Sequence, residues 1–242
     1  MVLVAHPDDE SIGSGILLQR IANPGILLCT NGAPQVARPW YSAIFRSRQW
    51  YARKRLKEFR TALEVACVRR VWTTTGIPDQ QLHLSLEQAA AAIERCVIEH
   101  QPEAILSHAF EGGHPDHDAC AVLARWAGLK FSLPVWEMPL YHRPMPSSNL
   151  VYQQFLRSNG DEIAVYPTPA ELTRKKKMLA QHRSQAAVIS EFDSRREVFR
   201  PQPAYDFGVN PSPALSTFAA CDHISIEAAL ESFGSFLKTT TF

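Results

Sequence analysis

No apolar run in this 242-residue chain approaches the ~20 residues that a membrane-spanning helix requires. An excess of charge is missing too: 25 Lys and Arg stand against 24 Asp and Glu, a formal net charge of +1. That balance argues against a dedicated nucleic-acid or anionic-membrane surface. Cysteine is sparse, with five residues at positions 29, 67, 96, 120 and 221, an odd count without a CxxC pair. Such usage predicts a reduced, cytoplasmic set that takes no part in catalysis. The opening Met1–Ala5 leads straight into His6 and Asp8, without the basic and apolar regions of a signal peptide. Neither G-x-G-x-x-G nor G-x-x-x-x-G-K-[ST] follows any predicted strand, which leaves a nucleotide-binding module without support. What is present is ordinary for a folded protein: 45% hydrophobic and 20% charged residues. At this size roughly 70% of the unfolded surface can be buried, so neither disulfides nor a second copy is needed to make a core.

Through the first 140 residues, short apolar runs alternate with segments of helical period. Strands are predicted at Val2–Ala5, Gly25–Thr30, Val68–Thr73, Ala104–His108 and Pro134–Leu140. Helices are predicted at Ser11–Ile21, 52–67, Leu86–Glu99 and about 117–127. This alternation predicts a single α/β domain over 1–242, a Rossmann-like three-layer sandwich with a mostly parallel sheet. Ligands of such sheets sit at the carboxyl ends of the strands. Two stretches interrupt the pattern. Residues 33–51 hold Trp40, Tyr41, Phe45, Trp50 and Tyr51 beside Arg38, Arg46 and Arg48, and residues 199–213 hold four prolines. Both are expected to be loop insertions near or around the cleft. Between them, Ala170–Ile189 reads as a helix whose Arg174-Lys175-Lys176-Lys177 run is expected on a solvated face.

Chemistry concentrates in two clusters. Ala5-His6-Pro7-Asp8-Asp9-Glu10 follows the first strand, and Glu111-Gly112-Gly113-His114-Pro115-Asp116-His117-Asp118 follows the fourth. Both are strand-to-helix loops, so a parallel sheet brings both to the same edge. Imidazoles mixed with carboxylates suit a borderline divalent metal, zinc above all. A catalytic zinc takes three protein ligands and keeps a position open. His6, Asp9 and His117 satisfy that count. Asp8 is then free to accept a proton from water, and His114 stands by to meet charge developing on the substrate. Helix capping alone explains one such motif more easily than two.

The pairing of AHPDDE with GHPDHDA resembles the PIG-L/LmbE-like zinc-dependent de-N-acetylases. The resemblance runs through most of residues 2–190. It includes the Asn31-Gly32 turn, the pattern Arg55, Glu58, Ala62 and Leu63, Gly76-Ile77-Pro78-Asp79, and the late Lys177, His182, Ser184 and Gln185. It implies one Zn2+ per chain held by His6, Asp9 and His117, with Asp8 as general base. His114 becomes the oxyanion stabiliser and a source of the proton for the leaving amine. Arg55 and Asp79 would contact the sugar, Asp116 would orient a ligand histidine, and Glu10 would brace the loop. One departure stands out: some relatives carry a tyrosine where this chain has Gly112, with Tyr141 and His142 as possible substitutes.

The function expected is removal of an N-acyl group, foremost acetyl, from an amino sugar or its glycoconjugate, with a small-molecule substrate and no nucleic-acid partner. The alternatives are another mononuclear metal hydrolase, such as a phosphoesterase, and an inactive sugar-binding relative. Trp40 and Arg48 are expected to stack on the sugar and hold an anionic or polar substituent.

Overall fold

The computed structural model describes residues 1–35, 47–74 and 76–240. Its centre is built by alternation along very short strands. In β1 (Val2–Val4), Leu3 enters one core cluster while Val2 and Val4 enter the other. The same division recurs in β2 (Gly25–Leu28), with Leu27 opposed to Ile26 and Leu28, and in β4 (Ile105–His108), with Ile105 opposed to Leu106. With β3 (Arg70–Thr73) and β5 (Val135–Met138), these strands run parallel in the order β3-β2-β1-β4-β5. Two antiparallel strands, β9 (Glu197–Pro201) and then β8 (Ile163–Val165), extend the sheet beyond β5 to seven strands.

One face carries α3 (Leu86–His100), α4 (Pro115–Phe131) and α7 (Ile226–Thr239), whose Ile93, Leu123 and Phe233 enter the same cluster as Leu3. The other carries α2 (Arg48–Val65) and α5 (Pro169–Leu179), through Phe59, Leu63 and Met178. The short α1 (Asp9–Ser14) packs on α5. The three-layer α/β sandwich is the one expected. Its strand order reverses between β1 and β4, and the loops after these two strands carry the two motifs. That reversal is where open parallel sheets form their ligand crevice. No helix among the described residues is long and apolar enough to cross a membrane.

Four expectations need correction. Residues 199–201 are not loop: Phe199, Arg200 and Pro201 close β9, hydrogen-bonded into the sheet. Pro201 is tolerated because β8 pairs only as far as Phe199, leaving nothing on that side for a missing N–H to disappoint. The helix expected over 170–189 is two: α5 stops at Leu179 and α6 (Ala186–Ile189) follows a 3-10 turn. The break turns His182 inward, its Nε2 3.0 Å from Ser11 Oγ. In the basic run, Arg174, Lys176 and Lys177 are exposed but Lys175 is buried, its Nζ donating to Ile12 O at 2.9 Å and Glu197 at 2.6 Å. Of the 33–51 stretch, 48–51 form the first turn of α2, capped by the Ser47 side chain. Trp40, Tyr41, Phe45, Arg38 and Arg46 lie outside the described residues.

Candidate active site

The loop after β1 turns sharply because Asp8 adopts φ 148°, a conformation L-residues rarely take and one that stores strain. Asp8 occupies the N-cap position of α1, yet its side chain makes no capping bond. Its Oδ2 instead accepts from Arg55 Nη2 at 3.0 Å. The Arg55 guanidinium also donates to Pro7 O at 3.1 Å and Gly32 O at 2.6 Å, locking the strained loop to the turn after β2. Glu10 braces it from behind, accepting from Asp8 N at 3.1 Å and Ser11 Oγ at 2.6 Å. Burial pushes the Asp8 carboxyl up to about 6, against the opposing pull of Arg55.

The loop after β4 leads into α4, and His114 caps that helix: its Nδ1 accepts the Asp116 N–H at 3.2 Å. A nitrogen that accepts carries no proton, so in neutral His114 the proton sits on Nε2. That Nε2 faces Asp79, 3.6 Å away. Burial, reinforced by His6, holds His114 well below the usual histidine range and so keeps it neutral. Gly112 has φ 68°, open to glycine at little cost. At Gly113 a Cβ would collide with the Tyr141 carbonyl oxygen.

The two loops meet. His6 Nδ1 lies 3.2 Å from His117 Nε2, and the Asp9 carboxylate reaches both, Oδ2 at 3.4 Å from His6 Nδ1 and Oδ1 at 3.5 Å from His117 Nε2. A tetrahedral cation with ligand bonds of about 2.0–2.1 Å has donor-to-donor edges of about 3.3–3.4 Å. The set therefore fits a divalent ion in spacing as well as in donor chemistry. On its far side, His6 Nε2 sits 3.1 Å from Asp116 Oδ2 and 3.1 Å from Asp79 Oδ1. Asp116 is itself held by the N–H groups of Gln80 at 2.6 Å and Leu82 at 2.9 Å. Burial alone would raise Asp9, but the neighbouring His117 and His108 hold it well below the carboxylate range.

His108, which sequence reasoning passed over, belongs to this group. Its ring stacks on His117 with centroids 4.1 Å apart and planes 7° from parallel. Burial and then His117 lower it to about 4, so it is neutral, and its Nε2 accepts the Ala5 N–H at 3.1 Å. The signal was its place as the last residue of β4, at the strand end where ligands gather. His182 is buried against Glu10 and Ser11 rather than in the cleft.

These residues floor a cleft of about 510 Å³. Asp8, Asp9, Arg55, Asp79, His6, His114 and His117 supply its ionisable lining. Ile12, Tyr141, Leu150, Tyr152, Val188 and Phe192 supply its apolar and aromatic lining. The expected ligands, base, oxyanion donor, Arg55 and Asp79 are thus gathered in one place, with Asp116 directly behind His6, whereas Arg48 is not part of the described lining and Trp40 lies outside the described residues. Arg55 bonds the Asp8 loop itself.

A family model described as PIG-L, GlcNAc-PI de-N-acetylase, matches residues 1–127. No curated protein matches the chain. Among solved structures, the chain is similar to Dbv21, the deacetylase of the A40926 pseudoaglycone, at 16% identity and a TM-score of 0.64, over 84% of this chain and 98% of that one. It is similar to a zinc-inhibited form of the teicoplanin deacetylase Orf2, at 17% identity and a TM-score of 0.60, over 85% and 99%. It is also similar to the N,N'-diacetylchitobiose deacetylase of Pyrococcus horikoshii, at 18% identity and a TM-score of 0.57, over 84% and 83%.

Proposed function

Because the chain belongs to the PIG-L family, described as GlcNAc-PI de-N-acetylase, we propose that it hydrolyses the N-acetyl group of an amino sugar or amino-sugar conjugate. The observation that carries this reading is the convergence of His6, Asp9 and His117 at separations that suit one tetrahedral cation, with Asp8 and His114 beside them. We assign zinc to these three residues. When bound, it supplies a Lewis acid that acidifies water and polarises the acyl carbonyl.

The chain's own residues divide the rest of the work. Asp8 accepts a proton from water, and the water oxygen bonds to the acyl carbon. Arg55 fixes the direction of the Asp8 carboxylate. The developing oxyanion is met by His114, whose capping bond leaves Nε2 a hydrogen-bond donor. A donor on a neutral imidazole is poorly placed to give its proton away, so the proton that Asp8 took passes to the amine nitrogen as the C–N bond breaks. Acetate and a free amine leave. Gly112 offers no side chain to the carbonyl. Tyr141, whose ring lies 5.2 Å from that of His117 and which lines the same cleft, is our choice for the second donor. We keep the cytoplasmic setting, to which five free cysteines are suited.

The test is Asp8→Asn on protein of known metal content. Zinc stays near one per chain, while acetate release from an N-acetylglucosamine conjugate falls at least ~100-fold. An undiminished rate ends the assignment of Asp8, and an absence of bound zinc in the unsubstituted protein ends the metal reading.

A further inference from the structure

The apolar part of the cleft lining is a built surface. The hairpin of β6 (Tyr141–His142) and β7 (Val151–Tyr152) folds against the segment containing α6. Together they form a small apolar cluster separate from both sheet cores, around Ile12, Leu140 and Phe192. The Tyr152 ring meets Phe192 edge to face at 4.9 Å, and Tyr141 lies 6.3 Å from each. Beyond these rings Leu150 and Val188 continue the wall outward, and Val188 is 47% exposed. An apolar surface left open inside a polar-rimmed cleft marks a place for an apolar ligand group.

Cations are correspondingly scarce. Arg55 alone represents Lys and Arg in the described lining of the cleft, and its guanidinium is committed to Pro7 O, Gly32 O and Asp8. The exposed Glu191 also lines the cleft, and its carboxylate would repel an anion. Apart from the proposed zinc, a phosphate or diphosphate next to the sugar would find no uncommitted Lys or Arg among the described lining residues and would meet the Glu191 carboxylate. Burying such a charge unpaired is costly.

We infer that the conjugated group lying against this wall is uncharged and apolar, an alkyl or aryl aglycone. The inference rests on the proposed deacetylase activity and narrows its substrate. The polar end takes the N-acetyl sugar, and Tyr152, Val188 and Phe192 take the aglycone.

The experiment compares N-acetylglucosamine with its hexyl and p-nitrophenyl glycosides and with its uridine diphosphate and 1-phosphate conjugates, using zinc-loaded protein. The apolar glycosides should exceed the free sugar in kcat/KM by at least ~10-fold, as expected when methylenes enter an apolar pocket. The phosphorylated conjugates should show no gain. Val188→Asp should bring the ratio of hexyl glycoside to free sugar close to one. A phosphorylated conjugate preferred over both apolar glycosides, or a ratio untouched by Val188→Asp, overturns the inference. Should no conjugate release acetate, the deacetylase reading fails, and calorimetry with hexyl glucosaminide and glucosamine 1-phosphate still decides this one. Tighter binding of the hexyl compound with a negative heat-capacity change upholds it, and tighter binding of the phosphate refutes it.

Discussion

Lys175 and Glu197 form a fully buried ion pair, and unequal consequences follow from breaking it at either end. Glu197 accepts from Lys175 Nζ at 2.6 Å, from Ile16 N at 2.6 Å and from Leu17 N at 3.0 Å. Losing that acceptor leaves a buried ammonium, worth about 3–5 kcal/mol, and two orphaned N–H groups at about 1–3 kcal/mol each. Glu197→Ala therefore costs at least about 5 kcal/mol, comparable with the whole stability of many domains. Glu197→Gln retains one acceptor and should cost about 3 kcal/mol or more. Lys175→Met is milder, because the carboxylate keeps both backbone donors and can take up a proton. Burial already raises Glu197, and Lys175 opposes that rise, so removing Lys175 raises it further. A carboxyl with a raised folded-state pKa is favourable at low pH, and that contribution is lost as pH climbs through the folded value. The Lys175→Met penalty should accordingly grow as pH rises through the range above about 4.5. Urea unfolding with unchanged m-values reads both numbers. A Glu197→Gln cost under about 1 kcal/mol, or a Lys175→Met penalty flat across that pH range, refutes the reasoning.

Other consequences can be tested at the site. His108→Leu removes the acceptor for Ala5 N and the ring stacked on His117, so metal affinity should fall ~10–100-fold in a chelator competition; unaltered affinity would make His108 a packing residue only. Gly113→Ala drives a Cβ into the Tyr141 carbonyl, and the loop must shift. It should lower Tm by an amount equivalent to about 1–3 kcal/mol and depress kcat by about tenfold or more, an expectation that a fully active variant contradicts. Tyr141→Phe keeps the ring and deletes the donor, so kcat should drop ~10–100-fold at constant KM and zinc content. A rise in KM with kcat unchanged would instead assign the hydroxyl to ground-state binding.

Much of this arrangement was legible in the chain because its signals are local. Val2–Val4 and Ile105–His108 stand on short, largely apolar runs, each with a histidine and acids in the loop that follows, and the parallel topology then forces the two loops together. What escaped was set by tertiary context. His108 carries no motif of its own, so its place at the end of β4 was a weak signal, and the stacking on His117 is what joins it to the site. Lys175 sits three residues from both Leu172 and Met178, on the inward stripe of α5, but a run of four basic residues hid that spacing. The antiparallel pairing of β9 was obscured by Pro201 and Pro203, which read as loop although Glu197–Arg200 alternate into the sheet. Tyr141 was visible as a residue, but its place beside His117 depends on the β6–β7 hairpin, whose strands are two residues each.

The switch point between β1 and β4 carries one more implication, about how this fold can change. The proposed ligands, the base and the oxyanion donor all lie between His6 and His117, inside the stretch the family model matches, whereas most of the apolar wall comes from residues 141–192. Reactivity and selectivity are therefore written in successive lengths of chain. Replacing β7 and the α6 segment, with Tyr141 retained as the second donor, offers a route to new substrates that leaves the hydrolytic machinery in place, by evolution or by grafting at the bench.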